Sequence, residues 1–332
     1  MRVGESTYVV QKKVYMEAVA TIAGSYEGKG SLHQYIDSII EDDMWGCKTH
    51  EMAEIKMQKT NIQHCLDKAA ITQHDLDCIV GGDLINQIVP TSFSAREFEV
   101  PFMGLYNACA TFGESLIVAS NLINNDMNKV IAITSSHFAT AERQYRYPLE
   151  LGTQPTPVSQ MTVTGSGCVL LTDKPCDKPY ISQYTVGKIV DLKCSDVNNM
   201  GAAMAPAAFD TINAHLQATD TTPKDYDMII TGDLGRFGRE TLHYLLSQDG
   251  IEADNLNDCG SIVYSKDQKA GQGGSGAGCC SLVFCSYFYP MLCSRQLRKI
   301  LFVPTGALLS KDSPLQGESI PAIAHAVTIQ ID

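Results

Sequence analysis

Eight residues of this chain are written almost twice, as Asp77-Cys-Ile-Val-Gly-Gly-Asp-Leu84 and, 150 residues later, as Asp227-Met-Ile-Ile-Thr-Gly-Asp-Leu234. The correspondence runs on without a gap: Ala53 matches Ala203, Ile62 matches Ile212, Leu66 matches Leu216, Asp75 matches Asp225, and Asn107-Ala-Cys109 matches Asn257-Asp-Cys259. A period this long gives each copy room for its own sheet and helices, which excludes a solenoid of short repeats. The chain therefore reads as two similar halves, 1–175 and 176–332, joined at residues 173–179, where Pro175 and Pro179 break any regular structure. Two such halves leave a cleft between them on which equivalent positions converge. Asp83, Cys109 and Cys259 belong to that set.

With 332 residues, 44% of them hydrophobic and 19% charged, the chain buries a core without help from metals or disulfides. A net charge of -12 and the absence of any basic run argue against nucleic acid as a partner, and equally against direct attraction to anionic lipid. No apolar run reaches the roughly 20 residues that a membrane span requires. The longest, 281–293, is too short and contains Pro290. The first residues, Met1-Arg2-Val3-Gly4-Glu5-Ser6, lack the charged-then-apolar pattern of a secretory signal, so the expectation is a cytoplasmic protein whose membrane contact goes through others. The 12 cysteines are scattered without a Cys-x-x-Cys pair, as buried thiols are.

Alternation of apolar runs with helical periodicity predicts strands at 14–23, 78–82, 102–106, 129–134 and 161–172, with helices over 53–70 and from Cys109 to about Ile123. The second half repeats the order: strands at 180–191, 227–232, 299–304 and 322–331, and helices over 203–218, 239–246 and 277–291. Strand and helix in alternation imply an α/β fold with a largely parallel sheet.

Cys109 falls between a strand and the first turn of a helix, where the dipole and free N–H groups favour a thiolate. A nucleophilic cysteine needs a base, and His137 and His325, each beside a strand end, are the candidates; a hydrogen-bonded structural role competes for both. The run Gly271-Gln-Gly-Gly-Ser-Gly276 matches Gly-x-Gly-x-x-Gly, but the polar stretch before it does not make a dinucleotide strand. A glycine loop opening a helix still brings backbone donors toward an anion, which makes Gly274 and Ser275 ligand candidates. Asp83 and Asp233 each follow an apolar strand and a glycine at the sheet edge where α/β proteins bind ligands; a cap is the simpler role for Asp233. Arg146, in Gln144-Tyr-Arg-Tyr-Pro148, is placed to receive a carboxylate.

A duplicated α/β chain with a cysteine at a helix start in its first half resembles the thiolase and ketoacyl synthase superfamily. Within it the chain is similar to the stage V sporulation protein AD family of spore-forming bacteria, through Gly82-Asp-Leu-Ile-Asn-Gln87, Thr134-Ser-Ser-His137, Asn199-Met-Gly-Ala-Ala-Met204, Thr305-Gly-Ala-Leu-Leu-Ser310 and Gln316-Gly-Glu-Ser-Ile-Pro321, which span both halves. The resemblance implies a five-layered αβαβα sandwich. It also implies a non-enzymatic role: binding dipicolinic acid (pyridine-2,6-dicarboxylate) for delivery to the developing spore, beside membrane proteins of the same group on the cytoplasmic face of the spore membrane. In condensing enzymes the second half supplies histidine and asparagine; here those places hold Asn257-Asp-Cys259 and Gly273-Gly-Ser-Gly276.

The expectation is thus a homodimeric receptor that holds dipicolinate near Asp83, Cys109, Cys259, His137, Arg146, Gly274 and Ser275, with Ca²⁺ as a possible companion at Asp83 and no organic cofactor. The alternatives are an acyl-thioester transferase or hydrolase using Cys109, and a purely structural partner of a membrane assembly.

Overall fold

A computed structural model describes residues 1–145 and 155–332. The first half runs β1 (Thr7–Ala23), β2 (Ser38–Ile39), α1 (His50–Lys68), β3 (Cys78–Gly82), α2 (Val89–Ala95), β4 (Phe102–Gly104), α3 (Thr111–Asn124), β5 (Lys129–Ser136), α4 (Phe138–Tyr145), β6 (Met161–Thr162) and β7 (Gly165–Thr172). The second half begins with β8 (Tyr180–Thr185), α5 (Met200–Thr219), β9 (Met228–Thr231), α6 (Gly235–Gln248), β10 (Leu256–Asp258) and α7 (Cys259–Val263). It ends with β11 (Gly274–Ser275), α8 (Ala277–Val283), a π-helical stretch (Phe284–Phe288), α9 (Tyr289–Cys293), β12 (Lys299–Val303), β13 (Thr305–Ala307), α10 (Asp312–Leu315), β14 (Ala322–Ala324) and β15 (Ala326–Gln330).

The main sheet is 11-stranded: ten strands follow the order β10-β9-β12-β15-β8-β1-β7-β5-β3-β4, five from each half in one arrangement that meet where β1 pairs with β8, and β2 pairs parallel with β1 off this path. The sheet is mixed, not largely parallel. β4-β3-β5 and β10-β9-β12 are parallel, while β7, β1, β8 and β15 meet their neighbours antiparallel. Parallel pairs need a crossover, and helices supply one only between the earlier strands of each half.

Strand alternation sorts the core into layers. Val80, Val130, Ala132 and Val169 face inward onto α3 and α8, which also pack on Ile230, Ile300, Phe302 and Val327 from the second half. The opposite face of the first-half strands, with Ile79, Ile131 and Leu170, packs on α1 and α2; Ile229, Leu301 and Val303 pack on α5 and α6. Helix, sheet, helix, sheet, helix is the αβαβα sandwich. Phe112 of α3, Phe284 after α8 and Phe302 of β12 stack at its centre, with ring centroids 4.9–6.1 Å apart.

The repeat persists in hydrogen bonds. Thr72 with Asp75 and Thr222 with Asp225 form equivalent capping boxes, and Asp77 and Asp227 each accept two backbone N–H groups at the start of the neighbouring strand. Three predicted strands and one helix are interrupted; the 322–331 strand divides at His325 into β14, paired with β13, and β15, paired with β12 and β8. Residues 163–164 leave the sheet between β6 and β7, where Thr164 N–H donates to the buried carboxyl of Glu27 at 3.1 Å. The strand from Tyr180 stops at Thr185 because Gly187 passes so close to the Ala324 carbonyl that a Cβ would sit 1.7 Å from it. Between α8 and α9 the chain turns π-helical ahead of Pro290, which lacks an N–H to donate.

Candidate functional site

Cys109 lies in the turn between β4 and α3, preceded by Ala108 at φ 49°, a left-handed conformation that non-glycine residues avoid. The turn is held by Asn107 N–H donating to Thr111 Oγ1 at 3.0 Å, and by the Thr111 hydroxyl donating to the Ala108 carbonyl at 2.7 Å. This tight geometry aims the thiol into a cleft walled by both halves: Leu84, Glu142, Tyr145 and Thr162 on one side, Val197, Met200, Ser275 and Leu309 on the other. The cleft opens outward past Tyr106, Ser310 and Ser313. At its mouth the Tyr106 and Tyr145 hydroxyls are 2.6 Å apart, and Tyr145 donates to the Leu84 carbonyl at 2.8 Å.

Ser275 is the partner of the thiol, with Oγ 3.8 Å from Cys109 Sγ. Behind both lies Asp233, fully buried. Its carboxylate accepts from Ser275 Oγ at 2.7 Å, Gly276 N–H at 3.1 Å and Thr305 Oγ1 at 2.9 Å, and from the Cys109 thiol. Burial first, and then the negative charge of Asp233, push the Cys109 thiol well above its ordinary value. The expectation of a helix-stabilised thiolate fails for that reason: desolvation and a facing carboxylate outweigh one helix end.

The residues singled out from sequence separate into two groups. Cys109 and Ser275 line the cleft, and Gly274 is their buried neighbour, its carbonyl accepting from Gln160 Nε2 at 3.0 Å. The others stand elsewhere. Asp83 is fully buried and accepts from Ile85 N–H at 2.8 Å, Thr91 N–H at 2.9 Å and Thr91 Oγ1 at 2.5 Å, so it fixes the loop behind Leu84. Burial pushes its carboxyl up to about 6. Asp83 is thus the turn residue and Asp233 the one at the thiol, the reverse of the sequence expectation. Cys259 opens α7 inside the central core with no exposure.

Neither histidine serves Cys109. His137 has Nε2 2.8 Å from the Asp43 carbonyl, and its Nδ1 accepts from Ala139 N–H at 3.2 Å. His325 accepts from Gly187 N–H on Nδ1 at 3.2 Å and pairs through Nε2 with the Asn107 amide at 2.9 Å. Burial lowers the His325 ring to about 4. A neutral ring that accepts on Nδ1 carries its proton on Nε2, so it has no lone pair left with which to act as a base for Cys109. Arg146 lies outside the described residues.

The glycine loop also has a structural task. Gly276 has φ 113° and Gly278 lies so close to the Gly165 carbonyl that a Cβ would be 2.2 Å away, which lets α8 press against β7. The Gly276 and Gly278 N–H groups are taken by Asp233 and by Ser136 Oγ at 3.0 Å, so they are not free donors for an anion. Among the described residues the cleft wall carries no Lys or Arg, and no group of metal-ligating side chains is assembled for an ion. No motif marks Glu142, Thr162 or Val197, and although Tyr145, Met200 and Leu309 fall within segments quoted above, nothing in those segments singles them out for a cleft. They meet only through the fold.

The family model for stage V sporulation protein AD matches residues 4–330. The chain belongs to that family. It is 39% identical over 329 residues to the stage V sporulation protein AD of Bacillus subtilis (strain 168), covering 98% of this chain and 97% of the relative. Among solved structures it is similar to OleA of Xanthomonas campestris (TM-score 0.63, 11% identity, 97% and 99% of the two chains). It is also similar to human mitochondrial 3-ketoacyl-CoA thiolase in complex with CoA (TM-score 0.61, 11% identity, 98% and 99%) and to 3-oxoacyl-[acyl-carrier-protein] synthase III of Aquifex aeolicus (TM-score 0.53, 12% identity, 98% and 99%). These likenesses establish a thiolase-like fold for this sporulation protein. Among the described residues no helix is long and apolar enough to cross a membrane.

Proposed function

We propose that the chain is a non-enzymatic receptor for dipicolinic acid, acting in its uptake into the developing spore beside membrane proteins of the same group, at the cytoplasmic face of the spore membrane. The observation that carries this reading is the company of Cys109. In the position of a condensing nucleophile stands a neutral thiol backed by Ser275 and Asp233, with both candidate histidines bonded elsewhere. Without a positioned base or oxyanion donor a cysteine loses most of its catalytic advantage. An acyl-transferring enzyme would have to use Asp233 as base, yet that carboxylate already holds four donors. Incubation with acyl-coenzyme A thioesters is expected to give neither turnover nor a Cys109 adduct by mass spectrometry. Turnover abolished by Cys109→Ala would establish the enzymatic alternative.

A planar dicarboxylate needs donors, so the Tyr145 hydroxyl would have to turn to it from the Leu84 carbonyl and the Thr162 hydroxyl from Glu142, while the Ser275 proton stays with Asp233. Ca²⁺ entering with the ligand would offset the ligand's own negative charge. In calorimetric titrations dipicolinate is expected to bind more tightly with Ca²⁺ than with a chelator, and Tyr145→Phe is expected to weaken it about tenfold, one hydrogen bond to a charged group. Met200→Trp fills the cleft and is expected to abolish binding. Undiminished affinity in Met200→Trp would move the ligand elsewhere.

The protein is further proposed to be a homodimer through β4. This strand is the outer edge of the first-half sheet, and Phe93, Met103 and Tyr106 beside it are 42%, 42% and 50% exposed. An uncovered edge with apolar neighbours invites a second copy to extend the sheet across a two-fold axis. Light scattering should give twice the 36.1 kDa chain mass, and Met103→Glu should shift it to the monomer. A monomeric wild type at micromolar concentration would count against this interface.

A further inference from the structure

Three polar residues of α1, Glu54, Gln58 and Asn61, recur at helical spacing on the face that packs against the sheet, and all three are fully buried. Such positions normally hold apolar side chains, so every proton here needs a partner. Asn61 Nδ2 donates to Ser166 Oγ at 3.0 Å. Gln58 Nε2 spends both its protons, on Thr91 Oγ1 at 2.9 Å and on Ser135 Oγ at 2.6 Å. Each hydroxyl has one proton to pass on. Thr91 gives its proton to Asp83 at 2.5 Å, and Ser135 gives its proton to Glu54 Oε1 at 2.8 Å. Asp83 faces only donors and is the ionised member of the network.

The other oxygen of Glu54 meets Thr140 Oγ1 at 3.0 Å, and that hydroxyl also lies 3.0 Å from the His137 carbonyl. The Thr140 hydroxyl thus has two acceptors at 3.0 Å for its one proton. A proton on Glu54 lets both contacts be hydrogen bonds, with Glu54 donating to Thr140 and Thr140 to the His137 carbonyl.

We propose that Glu54 is a neutral carboxylic acid in the folded protein, and that its proton fastens α1 to α4 and so holds the Glu142 and Tyr145 wall of the cleft in place. Loss of the proton would leave two carboxylates in one buried network. Among the described residues, the charged and titratable groups around it do not compensate. Glu51, one turn earlier on α1, is ion-paired with Arg143 of α4; the His50 ring lies 5.0 Å from that of His137, whose nitrogens are engaged by backbone; Asp83 faces Glu54 from the loop after β3. From α2, β5 and β7 come only the hydroxyls of Thr91, Ser135 and Ser166. Burial first, then the Asp83 charge, push the Glu54 carboxyl up to about 8, in accord with the proton count. The inference concerns the cleft wall and stands whatever the cleft holds.

Glu54→Gln tests it, because a glutamine amide offers an N–H to Thr140 and a carbonyl to Ser135, the pattern of the protonated acid. Raised folded-state pKa means that the stabilising contribution is full below about pH 4.5 and is lost as pH rises toward about 8. Relative to the glutamine variant, the wild-type unfolding constant should therefore rise about tenfold per pH unit across that window and level off above it. Infrared spectra at pH 7 should show a protonated-carboxyl band that Glu54→Gln removes. Amide exchange in α4 should accelerate beyond its intrinsic base dependence near pH 8 in wild type alone. A missing band, or a glutamine variant less stable than wild type at every pH, overturns the proposal.

Discussion

Asp233→Ala should be among the most damaging single substitutions in the chain, destabilising it by about 3 kcal/mol or more, since every buried donor left without an acceptor carries its own desolvation cost. The alanine leaves the Ser275 hydroxyl, the Gly276 N–H, the Thr305 hydroxyl and the Cys109 thiol without their acceptor, at a point that joins β13, the glycine loop and the start of α3. With an unfolding entropy near 2.1 cal/mol/K per residue, 3 kcal/mol corresponds to a Tm lowered by about 4 °C. Thermal and urea melts read the stability directly. Asp233→Asn separates charge from packing. It keeps the volume and one acceptor, so it should cost less, and removing the negative charge should make Cys109 react faster with iodoacetamide as its thiol pKa falls. An alanine variant as stable as wild type would mean that the hydroxyls find other partners and that Asp233 does not organise the cleft floor.

The second large effect is expected at the centre of the sandwich. Phe302→Ala should destabilise the protein by about 3–5 kcal/mol, the range for emptying a buried aromatic site. Phe302 has no exposure, and its ring meets Phe112 at 6.0 Å and Phe284 at 4.9 Å. Three elements from both halves lose contacts at once, so neighbouring side chains have little freedom to close the cavity. Phe302→Leu, which refills most of the volume, should recover much of the loss. Equal destabilisation by leucine and alanine would argue that ring geometry, and not volume, decides the packing.

The fold was largely legible because its evidence is local and written twice. Offset-matched positions such as Ile62 and Ile212 are both buried on equivalent helices, and hydrophobic period alone separates α1 from β3. Strand direction was less accessible: pairing of β7 with β1 joins residues more than a hundred positions apart, such as Tyr15 and Thr172, and hydrophobic period is blind to it. In the cleft, Cys109 and Ser275 could be found because a strand-to-helix cysteine and a glycine loop leave local marks. Asp83 and Asp233 could not be told apart that way. Both follow an apolar strand and a glycine, and what distinguishes them is the neighbour each meets: Thr91 for one, Cys109 and Ser275 for the other. His137 and His325 misled for a similar reason, since a strand-end position does not reveal whether a backbone carbonyl or amide will claim the ring.

One hydrogen-bonded sheet passes through the whole molecule, because Thr7 to Val9 and Val14 to Tyr15 of β1 are registered against β8. Many ligand-capturing proteins work like a jaw, two lobes swinging about a flexible connection. This molecule has no such pivot: swinging its halves apart would strip the β1–β8 ladder and shear the phenylalanine stack beneath it. Its response to a guest must be confined to side chains and short loops at the rim, so its radius of gyration should be the same empty and filled. If the cleft is the receptor site proposed above, capture and release would be governed by how fast rim residues such as Tyr106 and Tyr145 exchange partners. Under the proposed receptor role, such a molecule would present the same outline to its surroundings whether empty or filled.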